Sequence, residues 1–452
     1  MSVLKRVDSL KIATLTSMVM RASSGLLDIL VGAVMARILS LQDLGVFFLV
    51  QQFVFLWSQA ASFGLPTALL KVVGISSKAD DWAAVRITIR QSLYLFALAS
   101  IGLVLAYAAS WPFFGTMLFG KNLSLASAAF IYGIVSMRAI ELCGSAFFRG
   151  VRLYSFGTFL MSIPRQVGVV SIAGIYWLLG EKTDIDTVLV IYFCVAAALG
   201  CVIILLMIRF MRGRTSGDGS TAEKSVRAMA GLNFPLMLQA VMAELALRVD
   251  LWVLGFFATE KEVAIYGAAQ RLTLLLLFIM TSINLVIPPA LASAYKEGNL
   301  QNLQRLTRAT ATAGALFALP FTLAYILFPK FIMGTVYGPV FETGSTVLVI
   351  LAIGRFSGAA SGNRIQLLQM TGHHSLITKN SLVFMFVSLL LCLALVKEFG
   401  AVGVAVGSAI SMISRNFLLS YYCRRFVGVS TLPSFRPADL ARLIRLTRGK
   451  RK

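Results

Sequence analysis

Apolar residues run through this chain in blocks of about twenty, each closed by a short polar break. The blocks fall near 12–36, 44–70, 91–111, 124–148, 154–179 and 187–208, and then near 230–257, 263–289, 309–328, 343–370, 376–396 and 400–422. A helix needs about 20 mostly apolar residues to cross a bilayer. The pattern therefore predicts an all-α integral membrane protein with about twelve spans. Gly, Pro, Ser and Thr recur inside the blocks, as they do where membrane helices pack closely. A transmembrane β-barrel would show strictly alternating segments of about 10 residues, and these runs are too long for that.

Composition agrees. The chain has 58% hydrophobic and only 13% charged residues, against about 25% charged in an average soluble domain. Lys5, Arg6 and Lys11 precede the first block, as in a signal peptide. The block is longer than the roughly 7–15 residues of a signal-peptide core and no clear cleavage site follows, so a retained first span is expected.

Charge placement supplies the orientation. The net charge is +22, which on a soluble protein would suggest nucleic acid. Here 27 Lys and Arg lie at the N-terminus, in the loops after even-numbered spans and in the tail, against six (Arg37, Lys121, Lys182, Lys261, Lys330, Lys397) in the opposite loops. Basic residues stay on the cytoplasmic side during insertion, so both termini are expected to be cytoplasmic, with an even number of spans and no nucleic-acid partner. The loop after span ten, with Lys379 alone, ties with its neighbours. The tail at 436–452 can form a basic amphipathic helix on an anionic leaflet, or serve as a basic tail that sets topology.

Shifting the chain by 222 residues against itself aligns Asp28 with Asp250, Gly45 with Gly267, Pro66 with Pro288, Ala68 with Ala290, Leu69 with Leu291 and Gly150 with Gly372. GTMLFG at 115–120 resembles GTVYG at 334–338. The expected organisation is a six-helix lobe at 1–210, a cytoplasmic linker at 211–227, a second six-helix lobe at 228–424 and a basic cytoplasmic tail at 425–452. Six is even, so the two repeats run parallel, and such repeats place a transport pathway at their interface.

Ionisable residues inside spans are costly and point to function or pairing. There are eight arginines (Arg21, Arg138, Arg165, Arg248, Arg271, Arg355, Arg364, Arg415) and four acids (Asp28, Glu141, Glu244, Asp250), a balance of +4. Arg138 with Glu141 and Glu244 with Arg248 have helical pairing distances. Arg364 and Arg415 lie near cytoplasmic span ends, where snorkelling accounts for them. Surplus guanidinium suits phosphate or carboxylate. Two stripes strengthen that reading: Arg138, Glu141, Ser145 and Arg149 in span four, and Arg355, Gly362, Gln366 and Gln369 in span ten. The candidate substrate-binding residues are Arg21, Arg138, Arg165, Arg248, Arg271 and Arg355. Candidates for ion coupling are Asp28, Glu141 and Glu244; the matching positions of Asp28 and Asp250 also fit a structural role in each half. The five cysteines and the pair His373–His374 have no metal-ligand spacing. No catalytic constellation appears, so neither an enzyme nor a cofactor is expected.

Three stretches carry a family resemblance: ARILSLQDLGVFFLVQQFVFLWSQAASFGLPTALLK at 36–71, VDLWVLGFFATEKEVAIYGAAQRLTLLLLFIMTSINLVIPPALASAY at 249–295, and MTGHHSLITKNS at 370–381 with EFGAVGVAVGSAIS at 398–411. The chain resembles the lipid-linked oligosaccharide flippases, the polysaccharide-exporter branch of the multidrug/oligosaccharidyl-lipid/polysaccharide (MOP) superfamily. The resemblance implies two lobes in a V around a central cavity. It implies movement of a polyprenyl-diphosphate-linked oligosaccharide to the outer leaflet of a bacterial cytoplasmic membrane, for exopolysaccharide, capsule or O-antigen (lipopolysaccharide) synthesis. It further implies alternating access coupled to protons or sodium, alongside a polysaccharide polymerase and export machinery. The alternatives are a cation-coupled drug antiporter of the same superfamily, which a positive cavity disfavours, and a flippase for the peptidoglycan lipid precursor, whose relatives tend to have extra helices.

Overall fold

The computed structural model of the chain describes residues 2–77, 80–110, 125–180, 182–214, 216 and 226–433. The segment at 115–120 and the tail at 436–452 lie outside these, as does most of the linker, and among the described residues there is no strand. The expected segments are mostly helical in their described parts, and several are interrupted by short breaks. Eight helical stretches are long and apolar enough to cross a membrane.

The first helix, α1, is Ser2–Ile38. Ser40 caps α2 (Leu41–Ala61), accepting from Asp43 N at 3.1 Å, and this satisfies a donor that the helix start leaves orphaned. The span breaks at Phe63 (φ +48) and Gly64 (φ +70) and resumes as α3, Leu65–Ser76. Gly64 is required twice over. Its φ is left-handed, and a Cβ there would stand 2.5 Å from Asn233 O. Then follow α4 (Trp82–Ser110) and α5 (Leu125–Gly150). The fifth span is interrupted: α6 (Tyr154–Ser162) ends at Ile163 and α7 (Pro164–Leu178) begins at a proline, which lacks the N–H needed to continue a helix but suits a first turn. The sixth span is α8, Ile185–Met211.

The seventh span, α9, is Val226–Phe257. A capping box of Thr259 and Glu262 starts α10 (Glu260–Thr273), which passes through one 3₁₀ turn into α11 (Phe278–Lys296). Next come α12 (Leu300–Leu327), the short α13 (Pro329–Tyr337) and α14 (Ser345–Ala360). A turn at Gly362 (φ +61) leads to α15, Arg364–Met370. The last two expected spans, together α16 (His374–Tyr422), are two helices that meet at the non-helical Gly400.

The chain forms two compact units, Met1–Arg248 and Val249–Lys452, with the seam inside α9. In the first unit α5 is central and packs on α2, α3, α6 and α8. Small residues let α8 approach: a Cβ on Gly144 would meet Ile203 Cγ2 at 2.2 Å, and one on Gly133 would meet the Phe193 ring at 2.5 Å. In the second unit α14 is central, packed on α10, α12 and α16. Gly354 performs the same service against Ala409, with 3.1 Å to its Cα. The fourth expected span of each half thus holds the middle of its unit. Close packing of small residues drives helix association in lipid, where hydrophobic exclusion is absent. Large apolar side chains such as Leu93, Leu98, Leu205, Leu390 and Phe417 stay on the outside.

Candidate functional site

The first unit gathers its charges around Glu141, which is fully buried on α5. One carboxylate oxygen, Oε2, stands 2.5 Å from Arg138 NH1, one turn earlier on the same helix, and 3.4 Å from Arg165 Nε on α7. Arg138 NH1 also donates to Met161 O at 2.9 Å, at the end of α6. Arg165 donates to the Tyr192 hydroxyl and lies over that ring. Beside it, Gln166 Nε2 donates to Asp28 Oδ1 at 2.6 Å. This links α1, α5, α6, α7 and α8. The cavity that Asp28, Gln51, Arg165, Gln166 and Tyr192 help to line measures about 10 Å³, room for about one water molecule.

A second pair lies on α9, where Arg248 Nε meets Glu244 Oε2 at 2.8 Å. Arg248 also donates to Gln52 Oε1 and stacks on Phe55, 4.2 Å from the ring centroid. Arg138 approaches the same ring at 5.7 Å. Arg149, the last arginine of the span-four stripe, donates to Ser145 O at 3.3 Å. Arg21 lies on α1 and its side chain is outside the described residues.

The second unit is arranged differently. Asp250, its one acid inside the expected spans, is buried and accepts from neutral donors: Leu251 N at 2.9 Å, Tyr266 Oη at 2.7 Å, Gln270 Nε2 at 3.1 Å and Ser408 Oγ at 3.3 Å. A carboxylate so surrounded is satisfied without a cation. Arg364 does not snorkel. It is 5% exposed and caps the broken end of α14, donating to Gly358 O at 3.2 Å, Gly362 O at 3.4 Å and Asn416 Oδ1. A helix C-terminus presents unsatisfied carbonyls and a negative dipole end, so a buried guanidinium fits there. Asn416 is held in turn by Ser357 Oγ at 2.8 Å. Arg415 lies close to both Arg364 and Arg355, and its Nε is buried with no hydrogen-bond partner among the described residues. Arg271 and Arg355 are half-buried on α10 and α14.

Counted by unit, the interior surplus is one positive charge in the first and three in the second. Sequence spacing identified both same-helix pairs. It missed Arg165 as a second partner of Glu141, the neutral cradle of Asp250 and the Arg364–Asn416 link, because each joins residues on different helices. The one local signal was Pro164, which breaks the fifth span just before Arg165.

Comparison with known proteins now adds to this geometry. The family described as polysaccharide biosynthesis protein matches residues 12–295. The chain belongs to that family. A curated relative is the probable low-salt glycan biosynthesis flippase Agl15 of Haloferax volcanii, 26% identical over 184 residues. That match covers 40% of this chain and 38% of the relative, so the chain aligns with about two fifths of the relative's length. Solved structures align almost end to end. An inward-facing multidrug resistance MATE family transporter of the MOP superfamily has a TM-score of 0.67 at 15% identity, covering 94% of this chain and 96% of the other. The lipid II flippase MurJ in an inward closed conformation has a TM-score of 0.65 at 14% identity, covering 94% and 89%. The fold of this family member is therefore that of MOP-superfamily transporters.

Proposed function

We propose that the protein is a flippase for a polyprenyl-diphosphate-linked oligosaccharide, working by alternating access in the cytoplasmic membrane during surface polysaccharide synthesis. The observation that carries this reading is the family match over residues 12–295 on a transporter fold. The glycan flippase named among its relatives supports the substrate class.

The charge pattern supports an anionic cargo. Sugars and phosphates are too polar to enter hydrocarbon unaided, and a wet basic surface replaces their lost hydration. Guanidinium offers phosphate a planar donor fork and stays charged. In this reading Arg138, Arg165 and Arg248 act chiefly as ties, since Glu141 and Glu244 hold them. Within the second unit Arg271, Arg355 and Arg415 are the candidates to meet the cargo, and Arg21 stays a candidate on its position in the sequence alone. Asp28 is the candidate for proton or sodium coupling. The polymerase and export machinery are the expected downstream partners.

The test is a deletion strain with its lipids extracted and the leaflet of each lipid-linked oligosaccharide assayed. Build-up in the cytoplasmic leaflet with loss of surface polymer is expected. Arg355→Ala that reaches the membrane should reproduce this in part. Unchanged lipids with altered sensitivity to cationic drugs would refute the flippase in favour of an antiporter.

A further inference from the structure

A groove on the first unit stands apart from these interior charges. Helices α4 and α8 are clasped at one end, where Trp82 meets Phe210 with ring centroids 6.1 Å apart. Arg214 stacks on both rings, and Arg86 donates to Arg214 O at 2.7 Å. Farther along, the space between the two helices holds three linked cavities of about 220, 200 and 660 Å³. The first is floored by α3 and α5 and is almost wholly apolar. It shares Ile89, Leu93, Met207 and Ile208 with the second, which shares Arg86, Ile208 and Met211 with the third.

The chemistry changes along this line. The inner cavity has no charged lining residue, whereas Arg86, Arg90, Arg209 and Arg212 line the outer two. No acid lines any of the three among the described residues. The groove opens on an outward apolar surface, for Leu93, Leu205 and Ile208 are each more than 60% exposed. Such a surface on a membrane helix bundle faces lipid. An apolar channel ending in clustered arginines matches one kind of neighbour: a molecule with a hydrocarbon chain and an anionic head. Basic residues near a leaflet attract such lipids.

We infer that this groove is a binding site for an anionic phospholipid of the surrounding leaflet, its chain lying against Leu93 and Met207 and its phosphate among Arg86, Arg90, Arg209 and Arg212. The site is separate from the Glu141 network and does not depend on the flippase reading. Arg86 has the additional task of holding the clasp, so bound lipid would brace the join between α4 and the start of the linker.

The test uses the full chain in mild detergent, titrated with phosphatidylglycerol or phosphatidylcholine and followed by native mass spectrometry. Phosphatidylglycerol should bind more tightly than phosphatidylcholine. Arg90 and Arg209 are exposed, and R90Q/R209Q should weaken phosphatidylglycerol by about 25-fold, since each basic residue near an anionic head is worth about a fivefold factor. Leu93→Trp, on an exposed wall, should also reduce binding while leaving every arginine in place. Equal binding of the two lipids, or wild-type affinity in both variants, would overturn the site. Displacement of phosphatidylglycerol by a far lower concentration of undecaprenyl phosphate would assign the groove to an isoprenoid carrier and overturn the phospholipid assignment.

Discussion

Glu141 is shared by two arginines, and the sharing makes a lopsided prediction. In Glu141→Gln, Arg138 and Arg165 both keep their positive charge, buried at 6% and 7% exposure, with no carboxylate between them. Stranding one member of a buried ion pair costs about 3–5 kcal/mol. In Arg138→Gln, by contrast, Glu141 still faces Arg165 at 3.4 Å. What is lost is the charge on the 2.5 Å contact with Glu141, where a glutamine amide leaves only a neutral donor, a hydrogen bond to Met161 O and a stacking contact on Phe55, together about 2–3 kcal/mol. For a unit of about 250 residues each kcal/mol moves the unfolding midpoint by about 2–4 °C. Glu141→Gln should therefore lower the midpoint by about 6–20 °C and Arg138→Gln by about 4–12 °C. The assay is tryptophan-fluorescence melting of the purified protein in detergent, with both variants in one preparation series. Equal shifts, or a larger loss in Arg138→Gln, would refute the idea that one carboxylate holds both cations.

Gly362→Ala should destabilise the second unit by about 2–4 kcal/mol. A left-handed residue with a side chain costs about 1–2 kcal/mol, and the new Cβ would press within 2.9 Å of Ala311 Cβ, so overpacking adds to it; thermal melting reads this directly. Asp250→Asn should cost about 1–3 kcal/mol, because an amide nitrogen would face some of the donors that converge on the carboxylate; a variant as stable as wild type would contradict the neutral cradle. In the leaflet assay Arg355→Ala and Arg415→Gln should each slow flipping about tenfold, the loss of one charge-assisted hydrogen bond, with little loss of membrane-inserted protein. Asp28→Asn should slow transport if that carboxylate carries the coupling ion, and a normal rate would remove it from that role.

Much of the fold was legible because lipid imposes a simple rule: a crossing segment must satisfy its own backbone and be apolar for about 20 residues. The interruptions were partly legible. Pro164 announces the break in the fifth span, but Phe63, with a positive φ, resembles any other phenylalanine in a membrane segment. The expectation for Arg364 failed for a definite reason. Distance from a span end suggests that a long side chain can reach the interface, and it says nothing about a broken helix whose exposed carbonyls offer a nearer destination. The +4 interior balance was readable by counting, and so was its division into one positive charge in the first half and three in the second. Arg165 has no acid within one turn on its own helix, and only the packing of α7 on α5 brings it to Glu141.

The bend at Gly400 has a practical consequence for anyone mapping how this chain threads the membrane. Two expected spans meet there with no intervening loop, and Glu262 occupies the space where a side chain would begin, its Oε1 2.1 Å from an ideal Cβ and 3.3 Å from Ala401 N. Reporter fusions, epitope tags and protease sites are usually placed at the turns between spans. Placed at residue 400, they would wedge the hairpin open and dislodge Glu262, which also helps start α10. A dead or mislocalised fusion at this position would therefore report damage and carry no information about which side of the membrane it faced.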